Sequence, residues 1–222
     1  MIMIRIGLGL ILMLLVPLLT AVAQPIDITA KRAEFNLQAD IAKFFGDVVI
    51  NYRGIEVRAD EAEIRGQTFA VTQGNVQVIR DDTTLTSELL EIFLDEGFAV
   101  ARQNVHITGL LENEAGEQNQ FDLDAPLVKI FLDSESFEAQ GGVRFSSTSN
   151  NLRGTSDQLS LASGENRLVL DGNAELQQGE PGQELQLSGG RITIDLDGER
   201  IEAVGGDGQQ VRAQFSISTE QE

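Results

Sequence analysis

The sequence predicts an all-β fold built from repeated antiparallel hairpins, and three observations carry that prediction. Apolar residues alternate with polar ones at period two along most of the chain after Gln24. Short turn sequences such as Asp197-Gly198 and Asp95-Glu96-Gly97 separate the alternating runs. A two-slot pattern also recurs six times at nearly constant spacing. Its opening slot is Ala30-Lys31, Ala59-Asp60, Ser87-Glu88, Ala125-Pro126, Ser156-Asp157 and Gly189-Gly190. Its closing slot is Gly46-Asp47, Gly74-Asn75, Gln103-Asn104, Gly141-Gly142, Gly172-Asn173 and Gly205-Gly206. From opening to closing slot the offset is 16, 15, 16, 16, 16 and 16 residues, whereas the gaps between copies vary. A hairpin-sized unit of fixed length with variable connections is the mark of a stacked repeat.

Residues 1–23 read as an export signal rather than as part of the fold. Arg5 supplies a positive start, Ile6 to Val16 an apolar stretch, and Ala21-Val22-Ala23 a cleavage motif before Gln24. Retention of the segment as a membrane anchor is the alternative; Pro17 interrupts a stretch already short for a span. Residues 24–222 then form a single domain. Removing Arg5 leaves 15 basic against 35 acidic side chains, a net charge of −20. That sign argues against nucleic acid and against anionic membrane surfaces as partners. The chain has no cysteine, so neither a disulfide framework nor a thiol site is available.

Taken in order, Ile26 and Ile28 open the alternation, and Val48, Ile50 and Tyr52 continue it after the first closing slot. Ile55 and Val57 precede the second opening slot, and Val76 and Val78 follow its closing slot. Val105 and Ile107, then Ile192, Ile194 and Leu196, then Val211, Ala213, Phe215 and Ile217 repeat the phase. Two polar stretches, 112–120 and 177–184, interrupt the rhythm and read as surface loops.

Catalytic material is sparse. His106 is the only histidine, and its place between Val105 and Ile107 makes it an outward-facing strand residue. One His and no Cys leave almost nothing for a zinc cage or a Ser-His-Asp arrangement. Asp195-Leu196-Asp197-Gly198 starts like a calcium loop but lacks the later ligands, and Gly205-Gly206-Asp207-Gly208 has no helix behind it to hold a phosphate. The sequence therefore points to no enzyme, no metal and no cofactor. The apolar phase, with large residues at Phe35, Phe69, Phe93, Phe98, Phe131 and Phe145, fits either a packed core or a greasy groove. The pattern alone does not separate the two.

The runs Pro25 to Ala30, Gly46 to Ile50 and Ala59-Asp60 resemble the start of the periplasmic lipopolysaccharide-transport bridge family, LptA/OstA. Leu170 to Gln178 followed by Arg191 to Ile194 resembles its carboxy-terminal part, and the segment 110–150 resembles it least. Gln103 in a glycine slot, Gly189 in an Ala/Ser slot and the insertion near 112–120 depart from the pattern. The resemblance implies an open, twisted β-jellyroll whose interior holds the acyl chains of lipopolysaccharide, in the periplasm. It implies lipid contact by the apolar phase: Ile26, Ile28, Phe35, Val48, Ile50, Ile55, Val57, Val76, Val78, Phe93 and Phe145. It also implies end-to-end self-association and partners at the inner and outer membranes, in a passive conduit without catalysis. The first strand and the last alternating run carry no proline, so both sheet edges invite strand addition. Rival expectations are a membrane-anchored partner of the same bridge, a structural β-solenoid with a solid core, and a carbohydrate-active enzyme on a β scaffold.

Overall fold

The computed structural model describes residues 26–215 except 53, 67, 113–117, 133, 135, 149–150, 163–166, 181–182, 196–199, 207 and 209. The expected export signal at 1–23 therefore lies outside the described residues. Fourteen strands form one antiparallel sheet. They are β1 (Asp27–Thr29), β2 (Arg32–Asn36), β3 (Ile41–Tyr52), β4 (Ile55–Arg65), β5 (Phe69–Arg80), β6 (Thr83–Phe93) and β7 (Phe98–Glu112). They continue as β8 (Gln118–Phe131), β9 (Ser136–Ser147), β10 (Leu152–Ala162), β11 (Arg167–Glu180), β12 (Gln183–Asp195), β13 (Ile201–Val204) and β14 (Arg212–Phe215). From β3 to β12 each strand pairs with the next in sequence, a meander that follows from short turns between alternating runs. Each end is a strand cut in two: β1 and β2 share one edge of β3, and β13 and β14 share one edge of β12. The sheet stays open, and the fold is the open β-jellyroll implied by the resemblance.

The two polar stretches behave differently from their expected reading as loops. β7 runs through Glu112 and β8 starts at Gln118, while β11 reaches Glu180 and β12 resumes at Gln183. Gln177, Gln178 and Gly179 stay in register with Gln186, Leu185 and Glu184. Ladder hydrogen bonds persist wherever a partner strand is present, and a polar side chain at a wet sheet end does not oppose them.

The recurrent closing slot turns out to be a β-bulge in five of its six copies; the sixth, Gly205-Gly206, follows the end of β13 instead. Between Phe45 and Val48 of β3, the two residues Gly46 and Asp47 face the single residue Asp60 of β4. The same two-against-one jog falls at 74–75, 103–104, 141–142 and 172–173, opposite Glu88, Pro126, Asp157 and Gly190 of the neighbouring strands. Both residues of each of these five pairs have positive φ, from 76° and 49° at Gly46-Asp47 to 74° and 45° at Gly172-Asn173. Glycine, asparagine and aspartate are the residues that tolerate this region, which explains the slot's composition. The second opening-slot residue caps the jog. Asn75 Nδ2 donates to Asp60 Oδ2 at 2.9 Å, Asn173 Nδ2 donates to Asp157 Oδ2 at 2.8 Å, and Lys31 Nζ pairs with Asp47 at 2.7 Å. The hydrogen bond to Asp47, reinforced by its charge, raises the Lys31 pKa above the usual lysine value. Serines one residue earlier turn inward and donate to the backbone, Ser87 to Leu89 O at 3.2 Å and Ser156 to Gln158 O at 2.7 Å.

Gln103 occupies a slot that glycine fills elsewhere, at φ 65°. Relief of a left-handed Cβ, less glycine's greater loss of freedom, makes Gln103→Gly stabilising by about 0.5–1 kcal/mol in urea unfolding. Gly74→Ala acts oppositely, because its Cβ would stand 2.5 Å from Asp60 Oδ2. An unchanged midpoint in both variants would refute this account of the slot.

Candidate functional site

The bulges fold each strand back on itself. Leu170 and Leu176 belong to β11, and six extended residues would separate them by about 20 Å along a straight strand. Leu176 sits opposite Gly154 of β10, yet a Cβ placed at Gly154 would lie 2.9 Å from Leu170 Cδ2. The segments before and after the bulge column therefore face each other as two walls, with the column as their corner.

Register carries one inner row along each wall. On the first wall the row is Ile28, Ile50, Val57, Val78, Leu85, Ile107, Leu123, Phe145, Gly154, Leu176, Leu187 and Ala213. On the second it is Ala33, Phe44, Ala62, Thr72, Leu90, Ala101, Val128, Ala139, Leu159, Leu170, Ile192 and Ala203. At the corner, Val48, Val76, Val105 and Val143 alternate with the small residues Ala59, Ser87, Ala125 and Ser156. No charged side chain interrupts either row. The middle is closed, with Leu123, Leu159, Leu170 and Ile192 fully buried. Toward the amino-terminal edge the rows open, and Ile28, Ile50 and Val78 are half-buried.

The candidate lipid contacts fall into three places. Ile28, Ile50, Val57, Val78 and Phe145 share the first-wall row; Val48 and Val76 share the corner; Ile55 has the same inward phase and packs on the core. Ile26 and Phe35 stand at the open edge, Phe35 exposed and edge-on to Phe44 with ring centroids 6.0 Å apart. Phe93 is a correction. It points away from Ile92 and Leu90, onto the outer face, in a cross-strand file with Phe69, Phe98 and Phe131. Its ring lies 5.2 Å from Phe69 and 4.8 Å from Phe98, with Lys129 Nζ 4.1 Å over Phe98. The reason is the bulge, which sets the phase of alternation separately on each side; size alone does not reveal the phase.

The outer face holds the charges. Lys43 sits 3.0 Å from Glu63, Arg65 also binds Glu63, and the hydrogen bonds from Lys43 and Arg65 hold that carboxyl below the usual glutamate range. His106 Nδ1 lies 2.9 Å from Asp124 Oδ1 on this face, as its outward phase requires. Among the described residues, no group of three or more metal-ligating side chains is gathered together.

A family model described as LptA/(LptD N-terminal domain) LPS transport protein matches residues 56–200. The chain belongs to this family of lipopolysaccharide transport proteins. Curated protein sequences give no match. Among solved structures, the chain is similar to the crystal structure of LptH, the LptA homologous periplasmic component of the conserved lipopolysaccharide transport device from Pseudomonas aeruginosa. Identity is 15% over 88% of this chain and 96% of that one, with a TM-score of 0.25.

The LptA-family match spans β4 to β12, and both inner rows cross all of it. Sequence reasoning missed Leu85, Leu123 and Leu176 as row members. A usable signal exists in the spacing, because Ile50, Val78, Ile107, Phe145 and Leu176 each stand two places after the first residue beyond a closing pair. At Gly154 the row lacks a side chain, and the Phe145 ring fills the gap; a Cβ there would sit 2.2 Å from Phe145 Cε1. Gly154→Ala is expected to cost about 1–3 kcal/mol in denaturant unfolding through overpacking. Adding Phe145→Leu should recover part of that loss. No loss in the single variant would mean that the walls do not meet there.

Proposed function

We propose that this protein is a periplasmic carrier that holds lipopolysaccharide by its acyl chains between the two walls and passes it between inner-membrane and outer-membrane components. One observation carries the reading: two uncharged inner rows run unbroken from one open edge of the sheet to the other. Acyl chains gain free energy on leaving water for such a surface at roughly 25 cal/mol per Å² buried, and the rows offer that surface continuously along the sheet. Ile26, Ile28, Phe35, Ile50, Ile55 and Val78 meet the lipid first, at the open end, while Val48, Val57, Val76 and Phe145 lie deeper. The walls part about the bulge column to admit it. The carrier performs no chemical step, so net direction comes from an energised partner. Residues 1–23 direct export and are removed, leaving 24–222 as the working domain.

The closed middle favours one competing reading, a structural sheet with a solid core. Ile50→Glu separates the two. A groove position keeps access to water, so the variant melts close to the parent and loses uptake of radiolabelled lipopolysaccharide. A packed-core position buries an unpartnered carboxylate at a cost of several kcal/mol, comparable with the whole stability of a domain, and the variant unfolds. Unfolding, or full uptake by a folded variant, overturns the groove at this position.

The same reading extends to assembly. Among the described residues no further strand pairs with the β1/β2 edge or the β13/β14 edge, and Phe35 and Phe215 on them are 67% and 70% exposed. A second copy, or a related domain, adds its edge there and continues both rows. Phe215→Pro removes a backbone donor and distorts β14. Light scattering is expected to show loss of oligomer while circular dichroism still reports sheet; unchanged oligomer size would sink end-to-end stacking.

A further inference from the structure

Thr72 is the single polar side chain in the twelve-residue row of the second wall. At the equivalent place in other repeats stand Phe44, Ala101, Ala139 and Leu170. Its exposure is 0%, and its Oγ1 has no hydrogen-bond partner among the described residues. The other buried polar residues, Ser87 and Ser156, both donate to a backbone carbonyl beside the bulge. The fold thus provides for its corner hydroxyls and leaves the one on the wall unprovided. A buried hydroxyl without a partner is destabilising, and valine would fill the same volume without that cost.

Two small residues stand beside it. Ala62 flanks Thr72 across the ladder, and Ala70 precedes it by two residues on the same face of β5. Leu90 stands on its other side across the ladder.

Resting on the groove reading above, we propose that Thr72 marks the polar contact point of the groove. Its hydroxyl donates a hydrogen bond to the ester or amide carbonyl oxygen that joins an acyl chain to its headgroup. The two purely apolar stretches on either side take hydrocarbon. A carbonyl placed at Thr72 fixes how far the chain slides along the wall.

Thr72→Val and Thr72→Ser test this in the full mature chain, with lipopolysaccharide as one probe. A second pair of probes is 1-palmitoyl lysophosphatidylcholine and its 1-O-hexadecyl ether analogue, which differ in the carbonyl alone. Thr72→Val is expected to weaken lipopolysaccharide and ester-lipid binding about 5- to 10-fold, the size of one net hydrogen bond. Ether-lipid binding and folding stay intact, melting shifts upward if at all, and Thr72→Ser keeps the ester preference. Binding of lipopolysaccharide by Thr72→Val at the parent's affinity overturns the proposal while leaving the groove standing. Equal losses for ester and ether lipids assign Thr72 a packing role and also overturn it. A parent protein that binds neither lipopolysaccharide nor either lysolipid brings down the groove reading itself.

Discussion

The fold depends on a column of left-handed bulges. An antiparallel sheet with long strands would otherwise be a gently twisted ribbon with one wet and one dry face, and the dry face would have nothing to cover it. Adding one residue to every second strand at the same height gives the sheet a corner. Each strand then supplies both walls, and the dry face covers itself. The backbone cost is modest because glycine, asparagine and aspartate occupy most of these positions, and the Asp60–Asn75 and Asp157–Asn173 hydrogen bonds hold them. Alignment is what matters: a bulge one rung out of line would interrupt every inner row that crosses it.

This explains which parts of the chain were legible. The spacing between Ala59-Asp60 and Gly74-Asn75, repeated at Ser156-Asp157 and Gly172-Asn173, identifies a repeat and a hairpin length without any structure. Alternation then places Val48, Ile50, Val57, Val76 and Val78 on the inner face correctly, because each lies on a short run next to a slot. Phe93 fails because its run begins on the far side of a bulge, where the phase starts afresh. Continuity of the rows was not legible. It depends on register between strands, and register follows from turn length and bulge position rather than from any one strand's composition. Thr72 was passed over because a threonine in a strand is ordinary; only its burial and the absence of a partner make it distinctive.

The distribution of charge follows from the same constraint. With both inner rows uncharged, the acidic side chains of the described residues lie on the outer face and the rims. There their charge is tempered locally by pairs such as Lys31–Asp47 and Arg191–Asp171, both substantially solvated and individually worth little. The net negative charge that remains disfavours side-by-side contact between copies. The edges differ: Phe35 on β2, and Val204 and Phe215 on β13 and β14, put exposed apolar surface beside unpaired backbone. Under the end-to-end reading proposed above, lateral repulsion combined with apolar ends would favour linear association over clustering.

The cut at each end of the sheet adds a further restriction. β1 and β2 are separated at Ala30-Lys31, and β13 and β14 at residues 205–211, both at the height of the bulge column. An incoming edge must therefore jog at that same height if it is to pair with both halves. A strand of uniform register can pair with one half only, and then covers one wall and leaves the other exposed. A partner that carries the same repeat satisfies both halves at once and prolongs the two inner rows without a step. In the end-to-end assembly proposed above, partner choice would thus be set by backbone geometry before any side-chain contact is made. A chain of such domains conserves its interior because it conserves its corner.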